Sequence, residues 1–356
     1  MIAVRIEHDA LGSVELPADA LYGIQTARAL ENLSFSRKRL GSYPAYVTTL
    51  ALVKQAAARA NREAAVLDAR LADAIEAAAP AVGDHLDHFP VDLLAGGGSI
   101  AVNMNLNEVL ANLANERLGS RRGAYEPVHP LRHVNASQST ADVCHTALRL
   151  AVLRGAEPLS AALGAAAQTL AAKAAAWAFV PTLSRTCLQD ALPTTVDVLL
   201  GGHTALLRRR AAALAAALAP LSAQLALLAE ALLKVAQDLR LLASGPSGGF
   251  AELTLPHVQS GSSFFAGKVN PVVAETVMQC AVQVLGCDRA VHAACARAEL
   301  HLNVFDGLAA VNVLDALDML AVALERFESR CLRGLEVNEA RCRELATRAR
   351  SVTGDQ

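Results

Sequence analysis

The sequence predicts an all-α protein built from a bundle of long helices. Hydrophobic residues make up 53% of the 356 positions and aromatic residues only 4%, and much of the apolar content is alanine and leucine, which both favour helices. Apolar residues recur at helical spacing, and the alternating patterns typical of strands are nearly absent. Helices that are apolar all round, yet too short or too interrupted to span a bilayer, indicate burial in a large bundle or an oligomer core.

The individual helices are predicted from the spacing of apolar residues and from the prolines that interrupt it. A break is expected at Pro80 and another between Gly155 and Pro158. Pro220 predicts a tight hairpin between two helices, with one kinked helix as the alternative. Loops are expected over 1–43, 120–138, 181–193 and 244–270, and helices over 47–79, 102–117, 141–179, 195–219, 221–244, 271–294 and 302–333.

The composition narrows the class of protein and its compartment. The 32 lysines and arginines nearly balance the 34 aspartates and glutamates, which gives no basic surface for nucleic acid. The N-terminal residues are charged and lack the apolar core of a signal peptide. Seven cysteines without paired spacing indicate free thiols. We therefore expect a cytoplasmic protein with no nucleic-acid partner, no membrane attachment and no cofactor.

Three polar segments interrupt the apolar helical background. They are residues 133–140, 184–190 and 261–271. Each alone has an ordinary explanation, such as a helix N-cap at Ser139 or Thr140 and a solvated charge at Lys268. Together they offer hydroxyls, amides and one ammonium, which suit a small dicarboxylate, and the Gly-Ser-Ser turn offers backbone N–H groups to a developing oxyanion. Long helices separate the segments, so they meet only if the bundle, or an oligomer of it, brings the loop ends together.

Two further side chains lie close to the first segment. His145 and Cys144 come one turn after Thr140. His145 either faces the site or packs as an ordinary helical histidine, and the second arrangement is the more common one. The ten histidines show no spacing typical of metal ligands, so no metal site is expected.

The third polar segment resembles the signature loop of the aspartase/fumarase superfamily. That loop has Gly-Ser-Ser, two apolar residues, proline, a small residue and then Lys-Val-Asn-Pro, and here Ala266 stands in place of the proline. The resemblance is greater to the aspartate ammonia-lyase branch than to the class II fumarases, and it covers nearly the whole chain. The other matching blocks are 5–32, 102–109, 133–140, 188–191 and 238–246.

The resemblance implies a lyase that eliminates a group beta to a carboxylate of a 2-substituted succinate. The product is fumarate or an analogue, and the carbanion formed on the way is stabilised as an enediolate. Ser262 would be the general base, with its alkoxide stabilised by loop N–H groups and by Lys268. The substrate-binding residues implied are Lys268, Asn270 and Thr186 at one carboxylate and Ser139, Thr140 and Ser263 at the other. Glu275 matches an acid that in the family pairs with a histidine of the second segment.

The resemblance also implies an assembly and a division of the chain. The fold would be a homotetramer with a common helical core, and each active site would draw on three subunits. The expected parts are an N-terminal domain at 1–138, a central bundle at 139–334 and the remnant of a C-terminal domain at 335–356. Relative to the family, a central excursion near Pro220 is shortened and the C-terminal domain is missing.

Three positions depart from the family pattern. Ile100, Ala141 and Cys187 stand where the family has threonine, asparagine, and histidine or glutamine. In family terms these residues form the leaving-group pocket. An ammonium there would lack partners, at a cost of roughly 1–3 kcal/mol for each unmet polar group. The leaving group is therefore expected to differ from plain ammonia: a substituted amine, a nitro group or a thiol. An inactive paralogue acting as a scaffold or partner subunit, an ordinary aspartase and a class II fumarase remain the alternatives.

Overall fold

A computed structural model describes residues 3–186, 189–216, 221–259, 269–297 and 303–353. Long helices dominate this part of the chain, which confirms the predicted all-α architecture. By their contacts the residues divide into two units, Met1–Gly155 with Ala290–Leu314, and Ala156–Arg289 with Asp315–Gln356. The expected division at 1–138, 139–334 and 335–356 stays a prediction.

The first unit begins with an antiparallel hairpin and continues with helices. The hairpin joins β1 (Val4–Asp9) to β2 (Gly12–Pro17), within a region that was expected to be only loop-rich. A 3-10 helix covers Ala79–His88 and a π-helical turn covers Pro130–Val134. The α-helices are α1 (Ile24–Asn32), α2 (Pro44–Glu63), α3 (Ala69–Ala78), α4 (Ile100–Arg117) and the start of α5 (Thr140–Ala176).

Helix α4 is the centre of the first unit. Every residue from Ala101 to Asn115 is buried, so this helix is surrounded on all sides. Several of its buried polar side chains make hydrogen bonds to neighbouring elements. Glu108, for example, accepts hydrogen bonds from the backbone amides of Gly23, Gln25 and Thr26 at the start of α1.

Helix α5 runs without interruption for 37 residues, with Pro158 inside it. The break expected between Gly155 and Pro158 is therefore wrong. A proline inside a helix costs about 3 kcal/mol, because it removes one hydrogen bond and crowds the preceding turn. Burial offsets this cost here, since Leu159 and Leu163 directly after the proline are fully buried.

The second unit combines further helices with one hairpin and one antiparallel pair of short strands that are distant in the chain. Strand β3 (Pro181–Thr186) pairs with β4 (Gln189–Thr195), and β5 (Leu253–Thr254) pairs with β6 (Glu336–Val337). The loop expected over 181–193 is therefore a hairpin, and prolines are tolerated in it because each strand has a free edge. The hairpin expected at Pro220 lies outside the described residues. The helices are α6 (Val196–Ala216), α7 (Leu221–Leu242), α8 (Val272–Cys295), α9 (Asp306–Phe327) and α10 (Glu339–Thr353).

One stretch, Asp306–Leu332, is long and apolar enough to cross a membrane when judged by length and composition. The sequence analysis expected no such segment. Of its most apolar window, 44% is buried within the protein. Core helices of globular proteins have the same length and composition, so this stretch is weak evidence for a membrane span.

Candidate active site

Helices α4, α5 and α9 begin close to one another in the first unit. The amide of Asn103 in α4 donates to the hydroxyl of Thr140, the first residue of α5, at 3.2 Å. The hydroxyl of Ser99, directly before α4, donates to the carboxylate of Asp306, the first residue of α9, at 2.9 Å. The N-terminus of a helix carries partial positive charge, so three such ends together favour the binding of an anion.

Thr140 is held by a buried network of amide side chains and one lysine. Asn135 is its centre, because its Oδ1 accepts from Asn103 at 3.0 Å, from Asn107 at 3.2 Å and from the Lys54 ammonium at 2.8 Å. Lys54, Asn103 and Asn107 are almost completely buried. The carboxamide oxygens of Asn103 and Asn107 have no hydrogen-bond partner within the described part of the chain.

Lys54 is the member of this network that the sequence analysis missed. Burial lowers the pKa of its ammonium from 10.5 to about 7. A lysine at this depth, with a strongly shifted pKa, is typical of a functional site or of a structural network beside one. The signal was present in the sequence, since Lys54 lies on the α2 face of the buried Leu50 and Ala58, four residues away on either side.

Ser139 caps helix α5. Its hydroxyl accepts a hydrogen bond from the Asp142 amide at 3.1 Å and donates one to the Asp142 carboxylate at 2.7 Å. The hydrogen bond from the Asp142 backbone amide to the Ser139 hydroxyl confirms the N-cap interpretation of Ser139. The cap also orients the first turn of α5, which carries Thr140 and Ala141.

The predicted leaving-group positions of the first unit lie at the starts of two helices. Ile100 is the first residue of α4 and is 45% exposed, which is high for an isoleucine. Ala141 is the second residue of α5 and is half-buried. Ser99 directly precedes Ile100, and His145 follows Ala141 by one turn of α5. Ser99 and Asp306 are not predicted from the sequence, because neither stands in one of the three polar segments.

Of the predicted site residues that the structure describes, three belong to the second unit. Thr186 is the exposed last residue of β3, and Asn270 directly precedes Pro271 and α8. Glu275 lies in the first turn of α8 and pairs with the Arg240 guanidinium at 3.3 Å, with both side chains more than a third exposed. This partner differs from the histidine that the family resemblance implied for Glu275.

The β3–β4 hairpin that carries Thr186 is anchored by its neighbour Arg185. The Arg185 guanidinium donates to the Glu252 carboxylate at 2.5 Å and lies over the Phe250 ring at 4.2 Å. Glu252 also accepts from Thr182. The side chains of Arg185 and Glu252 are both largely buried, so the ion pair is shielded from solvent and restrains the hairpin.

The remaining predicted residues, Ser262, Ser263, Lys268 and Cys187, lie outside the described part of the chain. The described contacts thus bring together the predicted residues of the first unit, at the starts of α4 and α5. In the described ranges, no group of three histidine, cysteine, aspartate or glutamate side chains is placed to hold a metal ion.

The sequence and the fold are similar to those of known lyases. Residues 12–224 and 210–286 match the protein family described as Lyase. The aspartate ammonia-lyase of Pseudomonas fluorescens is 39% identical over 96% of this chain and 84% of its own length. The class II fumarate hydratase of Nitrosomonas europaea is 37% identical over 96% of this chain and 86% of its own length. The crystal structure of fumarate lyase:delta crystallin from Brucella melitensis matches with a TM-score of 0.95 at 38% identity, over 98% of this chain and 92% of that one.

Proposed function

The chain belongs to the lyase family that includes the aspartate ammonia-lyases and the class II fumarases, and from this premise we propose that it acts on a 2-substituted succinate. The proposed reaction eliminates the substituent beta to a carboxylate and releases fumarate or an analogue. Such a substrate carries two negative charges. The observation that carries the proposal is therefore the meeting of the starts of α4, α5 and α9 in the first unit, because each end contributes partial positive charge to the site.

Two carboxylate-binding groups are proposed. Lys268, Asn270 and Thr186 bind the carboxylate next to the carbon that loses its proton, since the enediolate needs a cation and amide or hydroxyl donors. Ser139, Thr140 and Ser263 bind the other carboxylate. The fixed position of Thr140, through Asn103 and the buried Asn135 network, supports this second role.

The proposed chemistry is a proton abstraction followed by loss of the leaving group. The Ser262 alkoxide takes the proton from the carbon beside one carboxylate, and the electron pair of that C–H bond delocalises onto the carboxylate as an enediolate. The pair then forms the carbon–carbon double bond while the bond to the leaving group breaks, and that bonding pair departs with the leaving group. The proton on Ser262 returns to solvent before the next turnover.

The family context supports proposals about assembly and location. We expect a homotetramer whose active sites each draw on three subunits, since the predicted site residues come from segments separated by long helices. A cytoplasmic location and a reaction without a cofactor fit the same context. Glu275, which pairs with Arg240, is proposed to support the start of α8, directly after Asn270.

Two candidate reactions differ in the leaving group. Elimination of an amine corresponds to the 39% identical aspartate ammonia-lyase, and elimination of water corresponds to the 37% identical class II fumarate hydratase. The leaving-group pocket is assigned to Ile100, Ala141 and Cys187, where the family's polar side chains are replaced. An inactive paralogue that serves as a scaffold is the alternative to both.

The test is the release of fumarate by the purified full-length protein, followed by ultraviolet absorbance. L-Aspartate, L-malate, and N-substituted and nitro-substituted succinates are each supplied. Turnover of at least one substrate is expected, with loss of turnover in Ser262→Ala. Ser42→Ala is the matched control, because Ser42 is exposed and lies in a turn before α2. Turnover that survives Ser262→Ala contradicts the assignment of the base, and turnover of no substrate contradicts the lyase proposal itself.

A further inference from the structure

A polar cluster of Asp306, Ser99 and His145 lies where α4, α5 and α9 begin. The Asp306 carboxylate accepts from the Ser99 hydroxyl at 2.9 Å and from the Gly307 amide at 2.8 Å. The same Oδ2 that binds Ser99 lies 3.2 Å from Nε2 of His145. Asp306 is only 9% exposed, so a negative charge is held close to the interior of the first unit.

The Asp306 carboxylate has an unusual set of partners. Within the described ranges, His145 is its only ion-pair partner, and no lysine or arginine approaches it closely enough to form one. Buried carboxylates are normally compensated by a permanent cation, because removing the charge from water is costly. Among the described residues, the Asp306 charge is therefore balanced only by hydrogen-bond donors, by the partial positive charge of the helix starts and by His145 when its ring is protonated.

Ser99 adopts a backbone conformation that is uncommon for its residue type. Its φ of +63° lies in the left-handed region, which a non-glycine residue occupies only at a cost. The Ser99 carbonyl accepts a hydrogen bond from the backbone N–H of Asn103 and, at 3.9 Å, one from the Cys144 thiol. This geometry ties α4 to α5 and holds the Ser99 hydroxyl on Asp306.

His145 lies close to the predicted leaving-group positions of the first unit, since it contacts Asp306, which also binds Ser99. His145 follows Ala141 by four residues in α5, so the two share one helix face, and Ser99 is adjacent to Ile100 in the chain. The His145 side chain is 34% exposed, and Nδ1 has no hydrogen-bond partner among the described residues. The ring is thus fixed at one nitrogen and free at the other.

We infer that His145, oriented by Asp306, binds the leaving group of the substrate, and that this leaving group is a positively charged amino group. The inference rests on the proposed lyase function and names the substrate class for it. When Nε2 donates to Asp306, the Nδ1 lone pair accepts an N–H of the substrate ammonium. The Asp306 charge attracts this cation and gives no comparable advantage to a neutral hydroxyl. The polar partners absent at Ile100 and Ala141 are thereby replaced from the neighbouring turn.

The test compares ligands with and without the amino group by calorimetry. The full-length Ser262→Ala protein, used to prevent turnover, is titrated with L-aspartate, L-malate and succinate. Asp306→Asn and His145→Leu are expected to weaken L-aspartate roughly 10- to 100-fold, as for loss of a hydrogen bond to a charged group. Succinate has both carboxylates but no leaving group. Its dissociation constant for each variant is expected to stay within about twofold of its value for the protein that carries Ser262→Ala alone. It therefore also reports whether each variant is folded.

A second histidine–aspartate pair supplies the matched control. His203 and Asp238 lie 3.3 Å apart, and Lys234 also pairs with Asp238, so this carboxylate has its own cation. Asp238→Asn is expected to leave the ratio of L-aspartate to succinate affinity unchanged. The inference is overturned if Asp306→Asn weakens the binding of L-aspartate and of succinate equally, or changes neither affinity. It is also overturned if the protein binds L-malate more tightly than L-aspartate and the variant keeps this preference. Failure of turnover alone refutes the lyase proposal and leaves this binding result to be judged separately.

Discussion

Replacing Lys54 by methionine is expected to change how the stability of the protein depends on pH. The Lys54 side chain is fully buried, and its hydrogen bond at 2.8 Å is made to Asn135, which is uncharged. Burial without a counter-charge lowers the pKa of the ammonium from 10.5 to about 7. Methionine has a similar length and no charge, so it fills the same space.

The direction of the effect follows from the two pKa values. In the folded protein Lys54 loses its proton near pH 7, whereas in the unfolded chain it keeps the proton up to about pH 10.5. Between these pH values the unfolded chain binds more protons than the folded protein. The free energy of unfolding therefore rises with pH, and the stability gained in this way is lost again as the pH falls to about 7. At about 1.4 kcal/mol per pH unit, the whole interval corresponds to roughly 4–5 kcal/mol.

The assay is urea unfolding of the full-length protein and of Lys54→Met, followed by circular dichroism from pH 7 to pH 10. The stability of the variant relative to the unmodified protein is expected to fall by several kcal/mol across this range. Tyr46 and Cys144 titrate in both proteins, and burial raises the pKa of both, to about 12 for Cys144. The difference between the proteins therefore reports the titration of Lys54 together with its coupling to the neighbouring Cys144. Lys234→Met, at an exposed lysine, is the control for loss of a surface charge. A difference for Lys54→Met that stays constant with pH would refute the reasoning.

Three further substitutions test contacts that hold the site and its supports, each by its urea midpoint. Glu108→Gln is expected to destabilise the first unit by about 2–4 kcal/mol, because an amide nitrogen cannot accept the hydrogen bonds that the buried carboxylate receives at the start of α1; an unchanged midpoint would contradict this. Ser139→Ala is expected to cost about 1 kcal/mol through loss of the cap, and Ser139→Gly only a few tenths; equal losses would mean that the cap is not the cause. Glu252→Gln is expected to cost about 3 kcal/mol, because it leaves the largely buried Arg185 without its carboxylate, and a loss below 1 kcal/mol would show that solvent reaches this pair.

Local patterns predicted the helices well and the hairpins poorly. The helix predicted over 102–117 matches α4 closely, because the spacing of its apolar residues is a local property of the sequence. The break expected before Pro158 did not occur, because burial of the following leucines compensates for the lost hydrogen bond. The sequence predicts a loop over 181–193, whereas the structure has a hairpin there, because the strands are short and each contains one proline, Pro181 in β3 and Pro193 in β4.

For the candidate site, too, some features could be predicted from the sequence and others could not. The sequence placed Ser139 and Thr140 in a polar segment and offered a helix N-cap at either residue as the ordinary alternative to substrate binding. It did not identify Lys54 or Asp306 as site residues, because the position of Lys54 on an apolar helix face indicates burial but does not show which distant side chain it contacts. The Lys54–Asn135 contact joins residues 81 apart in the chain, and the Ser99–Asp306 contact joins residues 207 apart. Periodicity describes only neighbours within a few turns, so it contains no information on such pairs.

By itself the sequence determined the helical class, the family resemblance and the residue types available for binding a dicarboxylate, because these depend on composition, spacing and the order of short segments. Only the tertiary structure decided that α4, α5 and α9 begin together in one unit, that Lys54 is buried with a lowered pKa, and that His145 is paired with Asp306. The physical reason is that burial and the pairing of charges depend on which distant elements pack together, and these in turn set pKa values and leave particular ring nitrogens free to bind a ligand.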